Sequence, residues 1–351
     1  MRPVYGMLLF VLFGLVTAVI IGFRPGLSKP LPEDHEQTGL RDRIVIKFSH
    51  VVAENTPKGL AAEHFASLVK QKTNDRVEIQ VFPNGMLHSE NTEAEALRRG
   101  EIQMIAPSFS NMSNIDPAWF VMDLPFAFPD QDAVDEALNG RVGAALFRTV
   151  EKQNMHGLAF WSNGFKQMGS NRHPLIEPED FRNQTFRILP SKVLASQFSA
   201  LGAATISTPF NEVYRHLQQG IVDGQENTIS NIYTKRLYLV QKYMTISNHG
   251  YLGYAVIVNK PFWERMPEEL RLAVQEAMAE TTAWMRQETK AMHERQLEQI
   301  RASGAIEIHE LTGEQRRRWE EAMRPVYEQY RSVIGGGLVE EIERLRERRA
   351  S

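Results

Sequence analysis

Not one of the 351 residues is a cysteine. That excludes a disulfide scaffold, an iron–sulfur centre, a thiol nucleophile and a lipid-modified N-terminal cysteine. Surplus charge is missing too. Forty Lys and Arg against 43 Asp and Glu leave a formal −3, with no basic excess for gripping nucleic acid. Fractions of 42% hydrophobic and 24% charged residues exclude wholesale disorder and fibres. Catalytic signatures are also lacking. His293-Glu294 stands without the second histidine of a His-Glu-x-x-His site, and there is no Gly-x-Ser-x-Gly elbow, Walker loop or Gly-x-Gly-x-x-Gly. Ser67-x-x-Lys70 falls inside an amphipathic helical pattern, and Glu177, Glu179 and Asp180 fall in a proline-containing turn and read as solvated. No active centre, metal site or cofactor site is expected.

What is present is enough chain for roughly two domains at ~150 residues each. Tyr5 to Phe23 carries no charge over 19 residues, with Arg2 before it and Arg24 and Lys29 after it. That is a secretory signal peptide or a signal anchor, close to the ~20 residues that span a bilayer. The best small-x-small cleavage site, Val16-Thr17-Ala18, is poorly formed, so cleavage and retention both stay open. A polar linker, residues 25–42, separates this segment 1–24 from the folded part. The bulk of the chain is expected outside the cytoplasm.

Beyond the linker, strands and helices alternate. Arg43–Phe48 reads as a buried strand, and Thr56-Pro57 as a cap with proline at the first helical position, leading a stripe of Ala61, Phe65 and Leu68. Val77, Ile79 and Val81 alternate with polar residues as in a strand. Thr92 and Glu95 are spaced as a capping box for a helix that Gly100 ends, and Ile102–Ala106 returns to strand. Crossovers this short imply a parallel sheet covered on both faces. The theme returns with strands at Gly157–Trp161, Thr185–Leu189 and Gly253–Val258. Ser191 caps one later helix that Gly202 stops, and Asn211 caps another that Gly220 stops. From Glu268 to Ser303, 36 residues contain no proline or glycine. As one helix they would reach ~54 Å at ~1.5 Å per residue, enough to brace two lobes; two helices broken near Glu280–Ala283 is the alternative. The charged stretch from Glu314 onward reads as a solvated outer helix.

Several local runs resemble one family. Phe48-Ser-His-Val-Val-Ala-Glu-Asn-Thr-Pro-Lys-Gly59, Leu124-Pro-Phe-Ala-Phe128, Gly164-Phe-Lys-Gln-Met-Gly-Ser-Asn-Arg172, Phe186-Arg-Ile-Leu-Pro-Ser191 and Thr208–Tyr214 running into Gly220–Asn227 follow in the family's order. Together they resemble the solute-binding proteins of tripartite ATP-independent periplasmic (TRAP) transporters over about residues 43 to 330, nearest to the branch binding C4-dicarboxylates. The resemblance implies an α/β, two-lobed periplasmic binding protein fold with a long helix spanning both lobes. It divides the chain into lobe I (43–163 plus 252–290), lobe II (164–251 plus 291–330) and a C-terminal helical tail (331–351). It implies a small organic acid ligand, integral-membrane TRAP permease subunits as partners, and a monomer in the periplasm, exported and either free or tethered to the inner membrane.

By the same resemblance Arg187 clamps a ligand carboxylate, Asn227 assists it, and Lys166 is a further anion contact. Many relatives carry arginine at that last place, and a lysine makes no two-pronged contact. His50, Ser108 and Phe210 fall at cleft-lining positions. The residues add their own argument for Arg187: a charge in the apolar strand Thr185–Leu189 is costly unless paired, and a guanidinium fork matches a carboxylate. Plainer readings stay open at this point. Arg187 at a sheet edge, Lys166 in an exposed turn, Asn227 as a helix cap and Phe210 as core are each compatible with the pattern. Two competing functions also remain: a periplasmic enzyme on organic acids, and a ligand-sensing module for a membrane kinase. The lobes are expected to join near Gly164 and near Gly250 to Gly253, where glycines absorb backbone rotation.

Overall fold

The computed structural model describes residues 11–17 and 43–350. Residues 11–17 are helical with exposed apolar side chains, and the rest of the expected signal segment and the linker lie outside the described residues. Among the described residues no helix is long and apolar enough to cross a membrane.

From residue 45 onward the chain is built on one mixed sheet of nine strands. They are β1 (Ile44–Ser49), β2 (Val77–Phe82), β3 (Met104–Ile105), β4 (Met155–Ser170), β5 (Thr185–Ile188), β6 (Ala204–Ser207), β7 (Gly224–Thr228), β8 (Tyr243–Asn259) and β9 (Glu307–Glu310). The order is β2-β1-β3-β8-β4-β7-β5-β6, with β9 beside β8. Its spine is the antiparallel pair β4 and β8, 16 and 17 residues long. Met104 and Ile105 of β3 pair with Val258 and Ile257 near one end of β8. Lys166–Ser170 of β4 pair with β7 near the other end of the spine. Two strand groups thus hang from opposite ends of one ladder roughly 50 Å long at ~3.4 Å per residue.

The expected all-parallel sheet is therefore corrected: β1/β3, β5/β6 and β5/β7 are parallel, but the spine and its junctions are antiparallel. Gly157–Trp161 and Gly253–Val258 are only parts of the spine strands. The remainder was hidden by glycines and by polar Ser162, Asn163 and Gln167, which break the alternation that marks a strand. Three register shifts interrupt β4, one between Ser162 and Gly164. There Gly164 has φ +92°, and a Cβ on it would lie 2.8 Å from the His293 ring.

Glu268–Ser303 is one helix, ended by Gly304 in the left-handed conformation. Its first half packs on helix Pro57–Lys72, where His64 stacks on Trp284 at 4.4 Å and Lys72 pairs with Glu276 and Glu280. Its second half reaches helix Ile229–Thr234, with the Ser230 hydroxyl 4.0 Å from the Met292 sulfur. It touches both strand groups.

Local expectations fail at three places. Thr92 already has helical backbone angles and its hydroxyl takes the Ser89 N–H, while Glu95 pairs with Arg98, so no capping box forms. Asn211 lies inside a 3-10 turn, Phe210–Glu212, ahead of the helix Val213–Gln218 rather than capping it. The C-terminal region is not a solvated helix. It is three helices, Gly313–Met323, Pro325–Ile334 and Gly336–Ala350, whose Trp319, Met323, Val326, Ile334, Val339, Ile342 and Leu345 are buried. Arginines and glutamates surround these apolar positions and mask their three- and four-residue spacing. The Trp319 indole donates to the Ile176 carbonyl at 2.8 Å, and the Tyr327 hydroxyl to that of Pro125 at 2.8 Å.

Candidate functional site

A crevice outside the carboxyl ends of parallel strands is where open α/β sheets bind ligands. Here β1, β5 and β7 end at such a crevice. It is narrow, about 20 Å³, room for little more than one water. Its charged lining is Lys58, Glu90 and Arg187; its polar lining is Ser108, Asn227, Asn231 and Tyr254; Val51, Val52, Leu189, Phe210 and Leu252 complete it.

Arg187 comes from β5 and is 1% exposed. Its Nε and one Nη donate to the Thr208 carbonyl at 3.0 and 2.6 Å. The Phe210 ring lies 6.0 Å from the guanidinium carbon. A guanidinium has five N–H donors, so these two bonds leave others for a ligand. Burial lowers the pKa of Arg187, and Glu90 and Glu226 pull it back up.

Lys58 comes from the first turn of helix Pro57–Lys72, which Thr56 caps through the Gly59 N–H at 3.1 Å. It is also 1% exposed. Its ammonium donates to the Ala106 carbonyl at 2.8 Å and sits 3.9 Å over the Tyr254 ring. Burial lowers its pKa, against the pull of Glu93 and Glu90. Burial likewise raises the carboxyl of Glu93. Among the described residues, no carboxylate lies within ion-pairing distance of either Arg187 or Lys58. The cavity therefore holds two buried cations whose charge the protein does not directly pair.

Asn227 is the penultimate residue of β7, and its Oδ1 accepts from Asn231 Nδ2 at 2.7 Å and from the Thr228 N–H at 3.1 Å. The cap of the following helix is Thr228, not Asn227. Ser108 caps helix Phe109–Met112 through the Asn111 N–H at 3.3 Å. The Tyr254 hydroxyl accepts from Asn163 at 2.8 Å.

Of the six residues expected at a site, Arg187, Asn227, Phe210 and Ser108 converge on this cavity, and Lys166 and His50 do not line it. Lys166 is neither an exposed turn residue nor an open anion contact. It lies on β4, 2% exposed, with its ammonium 2.6 Å from Glu226 Oε1. Glu226 Oε2 accepts from His249 Nε2 at 2.8 Å, and His249 Nδ1 accepts from the Ser247 hydroxyl at 2.7 Å. Burial would raise the Glu226 carboxyl, but Lys166 and His249 outweigh it and hold it at about 2. His249 is kept neutral, its pKa lowered by burial despite Glu226. His50 is fully buried, edge-on to Phe48 at 6.1 Å. Burial, reinforced by the nearby Lys58 charge, pushes its imidazole down to about 3.

Sequence reasoning missed Lys58, Glu90, Asn231 and Tyr254. One signal was available. A helix N-terminus favours acidic residues, so a lysine in the first turn is electrostatically adverse unless an anion joins it. Two wider grooves of about 610 and 710 Å³ flank the long helix, but Arg286 there is exposed and paired with Asp135 at 3.1 Å. No group of three or more metal-binding side chains occurs among the described residues.

Residues 48–332 match the family described as bacterial extracellular solute-binding protein, family 7 (DctP), and the chain belongs to that family, the solute-binding proteins of TRAP transporters. It is 46% identical over 347 residues, 99% of either chain, to the C4-dicarboxylate-binding protein DctB of Bacillus subtilis. A TRAP periplasmic solute-binding protein of Sulfurospirillum deleyianum, solved with bound succinate, superposes with a TM-score of 0.83 at 43% identity, covering 86% of this chain and 98% of that one. One from Pseudomonas aeruginosa, with bound L-malate, gives 0.79 at 36% identity, covering 82% and 100%. The fold is the two-lobed α/β fold of these proteins, and its members bind solutes rather than transform them.

The Lys166–Glu226–His249 group makes a prediction. Glu226→Gln leaves a buried ammonium without its counter-charge and should cost about 3–5 kcal/mol of stability at pH 7. Lys166→Met combined with Glu226→Gln should recover most of it. Because the folded carboxyl titrates at about 2, below the ordinary ~4.3, its contribution is present above pH ~4.3 and lost as pH falls toward 2. Denaturant midpoints across that window check both; a single variant as stable as wild type contradicts them.

Proposed function

We propose that this chain captures a C4-dicarboxylate in the crevice and delivers it to the integral-membrane TRAP permease subunits. The observation that carries the reading is the pair of buried cations, Arg187 and Lys58, in one cavity without an ion-paired carboxylate. A diacid supplies two negative groups, one for the guanidinium fork and one for the ammonium. Asn227 is the neighbouring amide, and Phe210 and Leu189 provide the apolar wall for the short carbon chain. The named ligands of the relatives, succinate and malate, are of this class.

Lys58, Glu90 and Ser108 belong to the residues assigned to lobe I (43–163 plus 252–290), and Arg187, Phe210 and Asn227 to lobe II (164–251 plus 291–330). Only a closed arrangement presents both sets to one ligand, and a cavity this narrow admits a four-carbon acid only when its walls part. Ligand then shifts the population toward closure by its differential affinity, and closure is what a permease can distinguish from empty protein. The bulged region around Gly164, facing His293, and the glycines at 250 and 253 are placed to absorb the rotation. The chain works outside the cytoplasm, brought there by its N-terminal apolar segment, either cleaved or kept as a tether.

Calorimetry against an acid panel tests the ligand class. Succinate, fumarate or malate should bind, and glucose and arginine should not. Arg187→Ala should weaken diacid binding by ~2–5 kcal/mol, roughly 30-fold to several-thousand-fold, and Arg187→Lys should also bind poorly. Binding of a neutral sugar and no diacid overturns the assignment. Solution scattering tests closure: the radius of gyration should fall on saturation with a bound diacid, and an unchanged value means a rigid pocket.

A further inference from the structure

One lining residue runs against an anion site. Glu90 sits on the loop before helix Glu93–Arg98 and contributes a carboxylate to the cavity that holds Arg187 and Lys58. Its Oε2 accepts from the Phe210 backbone N–H at 3.2 Å, a bond between segments 120 residues apart. A diacid bound between the two cations would face this third negative charge, and like charges at close range repel. A carboxylate is acceptor-only, with about four lone-pair sites, and the Phe210 N–H fills one. What it calls for from a ligand is a donor. An unsubstituted diacid has none at neutral pH; a hydroxyl on the carbon next to a carboxylate is one.

We propose that Glu90 reads a ligand hydroxyl, so that the crevice prefers a 2-hydroxy-dicarboxylate to the unsubstituted four-carbon diacid. This rests on the diacid reading above and narrows it. The hydroxyl donates a short charge-assisted bond to the free side of the carboxylate, and the carboxylate keeps its hold on Phe210. The same contact turns an adverse charge into a discriminator, because a polar group placed for a substrate hydroxyl penalises the analogue that lacks it more than an apolar wall does. Glu90 lines the same narrow cavity as Arg187 and Lys58, so its carboxylate faces the space in which a ligand between them would sit.

The test is calorimetry of wild type and Glu90→Gln with malate and with succinate at pH 7.5, beside the melting temperature of each ligand-free protein. Wild type should bind malate about tenfold to hundredfold more tightly than succinate, the range for one hydrogen bond to a charged group. Glu90→Gln keeps an acceptor for the Phe210 N–H but loses the charge. It should bring the ratio to within about threefold, chiefly by tightening succinate, with the melting temperature unchanged. Wild-type affinities within twofold of each other overturn the proposal, as does an unaltered ratio in Glu90→Gln, which would leave Glu90 a structural partner of Phe210. If Glu90→Gln does not fold, Glu90→Asp takes its place, and a reduced ratio is expected from its shorter reach. Should neither acid bind wild type, the diacid reading falls and takes this one with it; diacid binding without discrimination removes only the role of Glu90.

Discussion

Two positive charges buried in the lining of one crevice, Arg187 and Lys58, are the constraint on which it depends. Taking an ion out of water costs several kcal/mol even in a relaxed protein, and the usual remedy is a paired carboxylate. The chain applies that remedy a short way off, where Lys166 has Glu226 at 2.6 Å. It withholds it from Arg187 and Lys58, which receive carbonyl oxygens and aromatic faces instead. Neutral acceptors orient a cation without cancelling its charge. Under the proposed function, an arriving dianion supplies the missing counter-charges, and the cost of burying the two cations is offset on binding.

Holding such a pair requires a well-braced wall on each side. The spine strands β4 and β8 tie the two strand groups together, and the long helix lies against both. The C-terminal helices seal the far side of the aromatic clusters, Trp319 against Phe181 at 4.8 Å and Tyr330 against Phe120 at 5.7 Å. The ion group of Lys166, Glu226 and His249 sits where β4, β7 and β8 meet. Its strand neighbour Asn227 lines the crevice, so the buried ion group and the crevice share one strand.

Much of this was legible from residue patterns. The cap at Thr56, the stop at Gly202, the strand carrying Arg187 and the unbroken helix from Glu268 all follow from local chemistry, and the structure has them. The spine was only half legible, because β4 carries Gly157, Gly164 and Gly169 for close backbone approach and bulges, and those same glycines mimic a turn. Lys166 was misplaced for a related reason: a lysine in a glycine-rich, polar run looks solvated until its carboxylate partner, 60 residues away, is brought alongside. Lys58 and Glu90 were passed over because each sits at a helix start or loop that has an ordinary local explanation. Their common cavity exists only in three dimensions.

The central claim is that Arg187 and Lys58 each answer one end of a diacid, and a coupling measurement tests it most directly. Affinities of wild type and Lys58→Met are measured for succinate and for its monoamide, in which one carboxylate is replaced by a neutral amide of similar shape. The account predicts that wild type loses at least about tenfold on going to the monoamide, and that this penalty largely disappears in Lys58→Met, because the charge and its partner are removed together. Equal affinity of wild type for diacid and monoamide, or a penalty as large in Lys58→Met as in wild type, would contradict it.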